Sequence, residues 1–182
     1  MAEQLAPFCK AEPQYYNVYD LANDFSPEAE AFLQQWSTGW SSHRDFATPR
    51  DKLNNLIQGL EAEDVVLRSL QAKHPNDGWT YNDPNRLIVS INIPIYTHDK
   101  PDLINKFKLT VEVKQIDDKY WDDFGTQSFI FGSWRKFHDA DAVICINSSH
   151  TLMCQLDLVH IVHLNKDYMR CTAPSTVQLP RW

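Results

Sequence analysis

Three ionisable residues in the middle of the chain, Asp102, Glu112 and Lys114, are spaced so that they could perform chemistry together. Apolar and polar side chains alternate from 108 to 114, which predicts a β-strand over 108–116. A strand has a side-chain period of two, so Glu112 and Lys114 lie on the same face. If that face is buried, the two groups must pair, bind a metal ion or shift their pKa values. Asp102 precedes a polar bend at Asn105, so its segment is predicted to fold back as a hairpin partner, close to Glu112.

Phosphodiester hydrolysis is the chemistry that two carboxylates and one lysine suit. Mg²⁺ binds oxygen ligands and completes its shell with water and phosphate oxygens. The predicted ligands are the carboxylates of Asp102 and Glu112 and the backbone carbonyl of Val113, with Mn²⁺ as a substitute ion. The ion would activate a water molecule, and Lys114 would position that water and stabilise the charge of the transition state. Asp99 is an alternative ligand if the hairpin has another register.

The motif that these residues form resembles the signature of a known family. Pro101-Asp102, nine further residues and then Glu112-Val113-Lys114 look like the motif of the PD-(D/E)XK nuclease superfamily. Restriction endonucleases, Holliday-junction resolvases and RecB-like exonucleases belong to it. The resemblance implies an α/β fold with a restriction-endonuclease-like core, in which helices flank a mixed central β-sheet. It also implies a Mg²⁺-dependent nuclease, by preference an endonuclease, with DNA as its partner and a homodimer as one expected state.

A long amphipathic helix is predicted before the acidic strand. Thr48 is a typical N-cap and Pro49 suits the first helical position. The Pro- and Gly-containing breaker at 74–78 ends the helix near Lys73. The core-facing stripe recurs at helical spacing and consists of Leu53, Leu56, Leu60, Leu67 and Leu70.

Glu63 falls within this apolar stripe, where a carboxylate is unusual. In the family, a helix before the metal-binding strands supplies a further acidic residue, often as Gly-x-x-x-Glu, and Gly59 to Glu63 matches that pattern. The resemblance therefore implies that Glu63 completes the site, directly or through water. The alternative is that Glu63 lies at the edge of the stripe and reaches solvent. Asp64 is the competing choice on the same helix, and Glu61 is predicted to be exposed.

The segments after Lys114 are predicted to be a helix over 126–138 and a buried strand within 139–147. This strand–helix–strand order implies a partly parallel sheet. Some family members carry Gln-x-x-x-Tyr on such a helix, whereas this chain has Gln127 with Phe in place of the Tyr. Arg135 and Lys136, together with His138, form the best local basic cluster for holding DNA phosphates. The alternative role of this basic cluster is favourable charge at a helix C-terminus.

Length and composition fit a single domain. The chain has 182 residues, of which 43% are hydrophobic, enough for one proper core. We divide it into an N-terminal helical extension (1–48), a nuclease-like core (49–147), and additional strands with a tail (148–182). The net charge of −7 argues against a broadly basic surface. Contact with DNA would therefore depend on a local basic patch.

The chain lacks the sequence features of membrane and secreted proteins. No apolar run approaches membrane-spanning length, and the N-terminus has no basic region followed by an apolar one. The four cysteines are scattered without paired spacing, which predicts neither a zinc site nor a disulfide framework. We therefore expect a cytoplasmic protein that does not contact membranes.

Three functional hypotheses follow from these patterns. The first is a Mg²⁺-dependent nuclease that cuts DNA, in which Asp102, Glu112, Glu63 and Lys114 form the catalytic site. The second is a nuclease-like fold that binds nucleic acid or protein without turnover, which the negative net charge favours. The third is an unrelated α/β protein in which Glu112 and Lys114 form an exposed ion pair. The first two hypotheses differ in whether the four polar side chains converge around a metal ion in a cleft that a duplex can enter.

Overall fold

The fold is taken from a computed structural model. It describes residues 14–39, 47–91, 100–123, 128–131, 140–155, 157–165, 168–172 and 177–178. The N-terminal elements are β1 (Gln14–Asn17), α1 (Val18–Asn23), α2 (Pro27–Gly39), α3 (Pro49–Lys73), β2 (Thr80–Tyr81) and β3 (Ile88–Ile91). The elements that follow are β4 (Leu103–Ile104), β5 (Thr110–Ile116), α4 (Asp118–Asp123), β6 (Ser128–Phe131), β7 (Ala142–Asn147), β8 (Leu152–Gln155), β9 (Asp157–Asn165), β10 (Tyr168–Thr172) and β11 (Val177–Gln178).

The longest helix, α3, has the bounds that the sequence predicts. The Thr48 side chain accepts a hydrogen bond from the backbone N–H of Asp51 at 3.1 Å, so it caps the helix. At the other end, the backbone N–H of His74 donates to the carbonyl of Leu70 at 2.8 Å. Within the described part of the chain, no helix combines the length and the apolar character that a membrane crossing requires.

The described sheet that carries the acidic residues has six strands in the order β11-β8-β7-β5-β4-β2. Strands β5 and β7 are parallel, whereas β2, β4 and β5 form an antiparallel series. A mixed sheet in an α/β protein was expected, and the structure confirms it. The predicted buried strand within 139–147 is β7, whose residues 143–147 are all buried.

Two smaller sheets lie outside this central one. Strand β1 pairs with β3, and β10 lies between β6 and β9. Residues 88–91 therefore pair with the N-terminal extension, and the acidic strand β5 has β4 and β7 as its neighbours.

Helix α3 divides the hydrophobic core into two clusters. Near its start, Leu53 and Leu60 pack with α1, α2 and β3. Further along, Ala62, Val66 and Leu67 pack against β4, β5 and β7. Because Glu63 lies within this second part of the helix, the packing that buries the helix also carries its carboxylate to the central sheet.

The predicted helix over 126–138 is wrong where the structure describes it. Residues 128–131 form strand β6, which pairs antiparallel with β10, and a short helix, α4, comes earlier at Asp118–Asp123. The reason is local: Phe129, Ile130 and Phe131 are good strand formers, and strand pairing with β10 outweighs their helical spacing. Arg135, Lys136 and His138 lie outside the described residues, as does Asp99.

Candidate active site

The hairpin formed by β4 and β5 brings Asp102 and Glu112 together. Its register pairs Leu103 with Val111, which places Asp102 opposite Glu112 one step further along. A side-chain oxygen of Asp102 accepts a hydrogen bond from the backbone N–H of Val113 at 2.7 Å. This bond fixes the Asp102 carboxylate beside the strand that carries Glu112. The predicted hairpin is thereby confirmed.

Glu112 and Lys114 form an ion pair on β5, within one face of the strand. The Glu112 side chain is only 6% exposed and that of Lys114 is 26% exposed, so the pair is largely removed from solvent. Burial lowers the pKa of Lys114, but attraction to the carboxylates of Glu112 and Asp102 outweighs burial and leaves that pKa above its usual value. Lys114 is therefore an ammonium ion at neutral pH.

Glu63 reaches the same place from α3. Its side chain is 16% exposed, so it does not project freely into solvent. Burial and the neighbouring Asp102 carboxylate raise the pKa of Glu63 to about 8, and Glu112 adds to the effect, whereas Arg86 and Lys114 oppose it. The four residues proposed from the sequence therefore interact electrostatically with one another and form one cluster.

Arg86 is a member of this cluster that the sequence analysis missed. It lies in the turn after β2, and its guanidinium lies 3.2 Å from a carboxylate oxygen of Glu63 and 2.5 Å from one of Asp64. The same guanidinium stacks on the Tyr81 ring, with 3.5 Å between its carbon and the ring centroid. Nothing in the spacing of Arg86 connects it with Glu63, because the two residues meet only when β2 packs beside α3.

Asp64 has a supporting position beside the cluster. It accepts a hydrogen bond from the Tyr81 hydroxyl and pairs with Arg86. Burial and this hydrogen bond raise the pKa of Tyr81 to about 12, so its hydroxyl stays protonated and remains a donor. Asp64 therefore anchors Arg86, whereas Glu63 contacts Arg86 and also interacts electrostatically with Asp102 and Glu112. Glu61, as predicted, is exposed.

Some features of this cluster oppose the binding of a divalent cation, and others favour it. Among the described residues, no group of three or more His, Cys, Asp or Glu side chains is arranged to hold a metal ion. Lys114 pairs with Glu112, Arg86 donates to Glu63, and Asp102 accepts the Val113 N–H. The donor set itself is suitable, because three carboxylates supply the hard oxygen ligands that Mg²⁺ prefers. Burial raises the pKa of Glu63 most and repulsion from Asp102 and Glu112 adds to it, and a divalent cation would relieve that repulsion.

Comparison with known proteins finds no matching family model, no similar curated protein and no similar solved structure. The functional interpretation of the cluster therefore rests on its own residues and contacts.

Proposed function

We propose that this chain is a Mg²⁺-dependent nuclease that hydrolyses DNA phosphodiester bonds, with Mn²⁺ as a substitute ion. The observation that carries the proposal is the convergence of Glu63, Asp102, Glu112 and Lys114, which come from three separate parts of the chain. Two carboxylates and a lysine brought together on one hairpin, with a third carboxylate from a preceding helix, are the residue types that metal-assisted phosphodiester hydrolysis needs.

The order of the elements supports the proposal. Helix α3 precedes the antiparallel strands β4 and β5, and β7 then pairs parallel to β5. The resemblance to the PD-(D/E)XK superfamily implies this order of helix, acidic strands and parallel strand. We therefore propose a restriction-endonuclease-like core within residues 49–147. The strand found at 128–131 in place of the expected helix is a departure from that pattern.

The metal ligands in this proposal are the carboxylates of Asp102 and Glu112 and the carbonyl of Val113, with Glu63 acting directly or through water. When bound, Mg²⁺ would lower the pKa of a coordinated water and neutralise charge on the phosphate. The burial of the Glu112 side chain, which is 6% exposed, keeps bulk water away from this carboxylate. The hydrogen bond from Val113 holds the Asp102 carboxylate in place before any ion arrives.

Lys114 has an electrostatic role in this proposal. Because its pKa lies above the usual value, the side chain remains an ammonium ion and cannot serve as a general base at neutral pH. An ammonium group can donate a hydrogen bond to the attacking water and stabilise the negative charge that develops on the phosphate oxygens. The partial exposure of Lys114 leaves it within reach of a substrate.

A second candidate function is a nuclease-like fold that binds nucleic acid or protein without turnover. The two ion pairs favour it, because Lys114 and Arg86 satisfy Glu112 and Glu63 within the chain itself. In such a module the cluster would stabilise the packing of α3 on the sheet. Turnover distinguishes the two candidates.

The test is cleavage of supercoiled plasmid and of a panel of branched DNAs in Mg²⁺, Mn²⁺ or EDTA. We expect nicking that needs the metal ion and that falls at least a hundredfold in Lys114→Ala and Glu112→Ala. Lys119→Ala is the matched control, because Lys119 is 62% exposed and lies after the C-terminal end of β5. Absence of cleavage by the folded wild-type protein in every metal would reject the nuclease and leave the binding module.

A further inference from the structure

The loop that joins β4 to β5, residues 105–109, exposes an alternation of cations and large apolar side chains. We call it the hairpin tip. Lys106 and Lys108 are exposed, and Phe107 and Leu109 are 62% and 49% exposed. Large apolar groups at such exposure, between two lysines, indicate a contact surface for a partner that is both negatively charged and partly apolar.

The hairpin tip is held in this conformation by hydrogen bonds. The buried side chain of Asn105 accepts hydrogen bonds from the backbone N–H groups of Phe107 and Leu109, each at 3.0 Å. The N–H of Lys106 donates to the carbonyl of Asp77 at 3.0 Å, which braces the tip against the turn after α3. The Phe107 ring is therefore presented to solvent by an ordered loop.

Charge at the hairpin tip opposes the charge of the whole chain. Residues 103–109 contain two lysines and no carboxylate, whereas the net charge of the protein is −7. The carboxylate of Asp77, beside the tip, lies 3.9 Å from His74. Lys106 places its ammonium 4.9 Å from the centroid of the Phe107 ring, so a cation and an aromatic face are presented together.

Lys108 has a φ of 69°, in the left-handed region that glycine occupies without strain. A lysine at this position costs backbone energy that a glycine would not. Lys108→Gly is therefore a useful test variant, because it removes the charge and relaxes the backbone at the same time.

The hairpin tip lies next to the candidate active site. The pair Ile104 and Thr110 closes the loop, and Asp102 and Glu112 lie two residues further along the same two strands. At a rise of about 3.4 Å per residue, the closing pair lies about 7 Å from the acidic pair, and Phe107 lies up to about 10 Å further out. A DNA strand with a phosphate at the acidic residues would therefore have a nucleotide a few positions away at the hairpin tip.

We propose that the hairpin tip binds DNA beside the cut and selects DNA with an unpaired base there. This inference rests on the proposed function, because it takes DNA as the partner. Lys106 and Lys108 contact backbone phosphates, and Phe107 stacks on the unpaired base. An exposed aromatic ring suits a base whose face is open, whereas the bases of an intact duplex are already stacked on one another.

Fluorescence anisotropy tests this proposal with a labelled duplex and the same duplex containing a short single-stranded gap, in EDTA to prevent metal-dependent cleavage. The wild type should bind the gapped DNA more tightly. Phe107→Ser should weaken binding of the gapped DNA roughly tenfold and leave the salt dependence unchanged, because stacking involves no phosphate. Lys108→Gly should weaken both DNAs and reduce the slope of log K against log salt by about 1.

Stability measurements separate this role from folding. Lys108→Gly should melt at the same temperature as the wild type or about 2–4 °C higher, because the backbone strain is relieved. Lys119→Ala, which removes the same charge at the other end of β5, should bind both DNAs like the wild type. Equal losses in Lys119→Ala and Lys108→Gly would overturn the proposal, as would tip variants that bind like the wild type.

Cleavage distinguishes failure of this inference from failure of the proposed function. A wild type that cleaves, with tip variants that bind and cleave normally, would reject the role of the hairpin tip alone. A wild type that prefers gapped DNA through Phe107 but never cleaves would support the tip and reject the nuclease. A wild type that neither binds nor cleaves DNA would overturn both.

Discussion

The substitution Glu63→Gln tests the electrostatic cluster most directly, because it removes one of three adjacent carboxylates while keeping the shape of the side chain. In the folded protein, burial and the Asp102 carboxylate raise the pKa of Glu63 from 4.5 to about 8. The folded state therefore keeps a proton on the cluster up to about pH 8, whereas the unfolded chain releases it near the ordinary value. Since Glu63, Asp102 and Glu112 interact, this proton belongs to the three carboxylates as a group.

The sign and size of the effect follow from linkage. Between the two pKa values the folded state binds more protons than the unfolded state, so the free energy of unfolding falls as pH rises. The full difference from 4.5 to about 8 corresponds to at most about 5 kcal/mol at about 1.4 kcal/mol per pH unit. The stabilisation is complete below pH 4.5 and is lost by pH 8. Glutamine carries no proton equilibrium, so Glu63→Gln should lose most of this slope.

The assay is urea denaturation in EDTA from pH 5 to pH 8.5, followed by the fluorescence of the six tryptophans. We expect Glu63→Gln to match the wild type at pH 5 and to be more stable by several kcal/mol at pH 8. Glu61→Gln is the matched control, because Glu61 lies on the same helix and is exposed. Glu61→Gln keeps all the other titratable groups of the chain, including the cluster. The difference in unfolding free energy between the two variants therefore reports the titration of the cluster.

A wild type and a Glu63→Gln variant with parallel stability curves would refute this reasoning. The carboxylate of Glu63 would then be solvated in solution, and its electrostatic interaction with Asp102 and Glu112 would be absent. Mg²⁺ extends the test: at pH 8 it should stabilise the wild type by about 2.7 kcal/mol at one hundred times its dissociation constant. The stabilisation should be smaller at pH 5, where protons compete with the ion, and smaller in Glu63→Gln at both pH values.

Further predictions concern single contacts, each checked by urea denaturation or by thermal melting. Arg86→Met leaves the Asp64 carboxylate without its cation and Glu63 without its hydrogen-bond donor, and should cost about 3 kcal/mol at pH 7; Arg86→Lys should recover only part of that loss, and full recovery would contradict a need for the two parallel donors of the guanidinium. Asn147→Ala leaves the backbone N–H groups of Thr151 and Leu152 without their acceptor and should cost about 2–3 kcal/mol, whereas an effect below about 0.5 kcal/mol would show that water replaces the side chain. Thr48→Ala removes the cap of α3 and should cost about 1 kcal/mol, which lowers the melting temperature by about 2–4 °C; an unchanged melting temperature would contradict the cap.

Some of the fold was accessible from local sequence patterns. The alternation of residues 108–114 placed Glu112 and Lys114 on one face, because a strand has a period of two wherever it lies in the fold. Thr48 and Pro49 marked the start of α3, since a cap and a fixed φ act within a single turn. Local pattern gave the wrong prediction at 128–131, because the apolar residues there have helical spacing but also high strand propensity. The partner strand β10, which decides between the two, comes about forty residues later.

The candidate site needed more than local pattern. The sequence by itself determined which residues could do the chemistry: Asp102, Glu112 and Lys114 on one hairpin, and Glu63 on the apolar face of a helix. Only the tertiary structure decided that Asp102 lies opposite Glu112, because the register depends on the length and hydrogen bonding of the loop at Asn105. Contact between Arg86 and Glu63 is likewise set by packing, since α3 and the turn after β2 have no common sequence period that would reveal it.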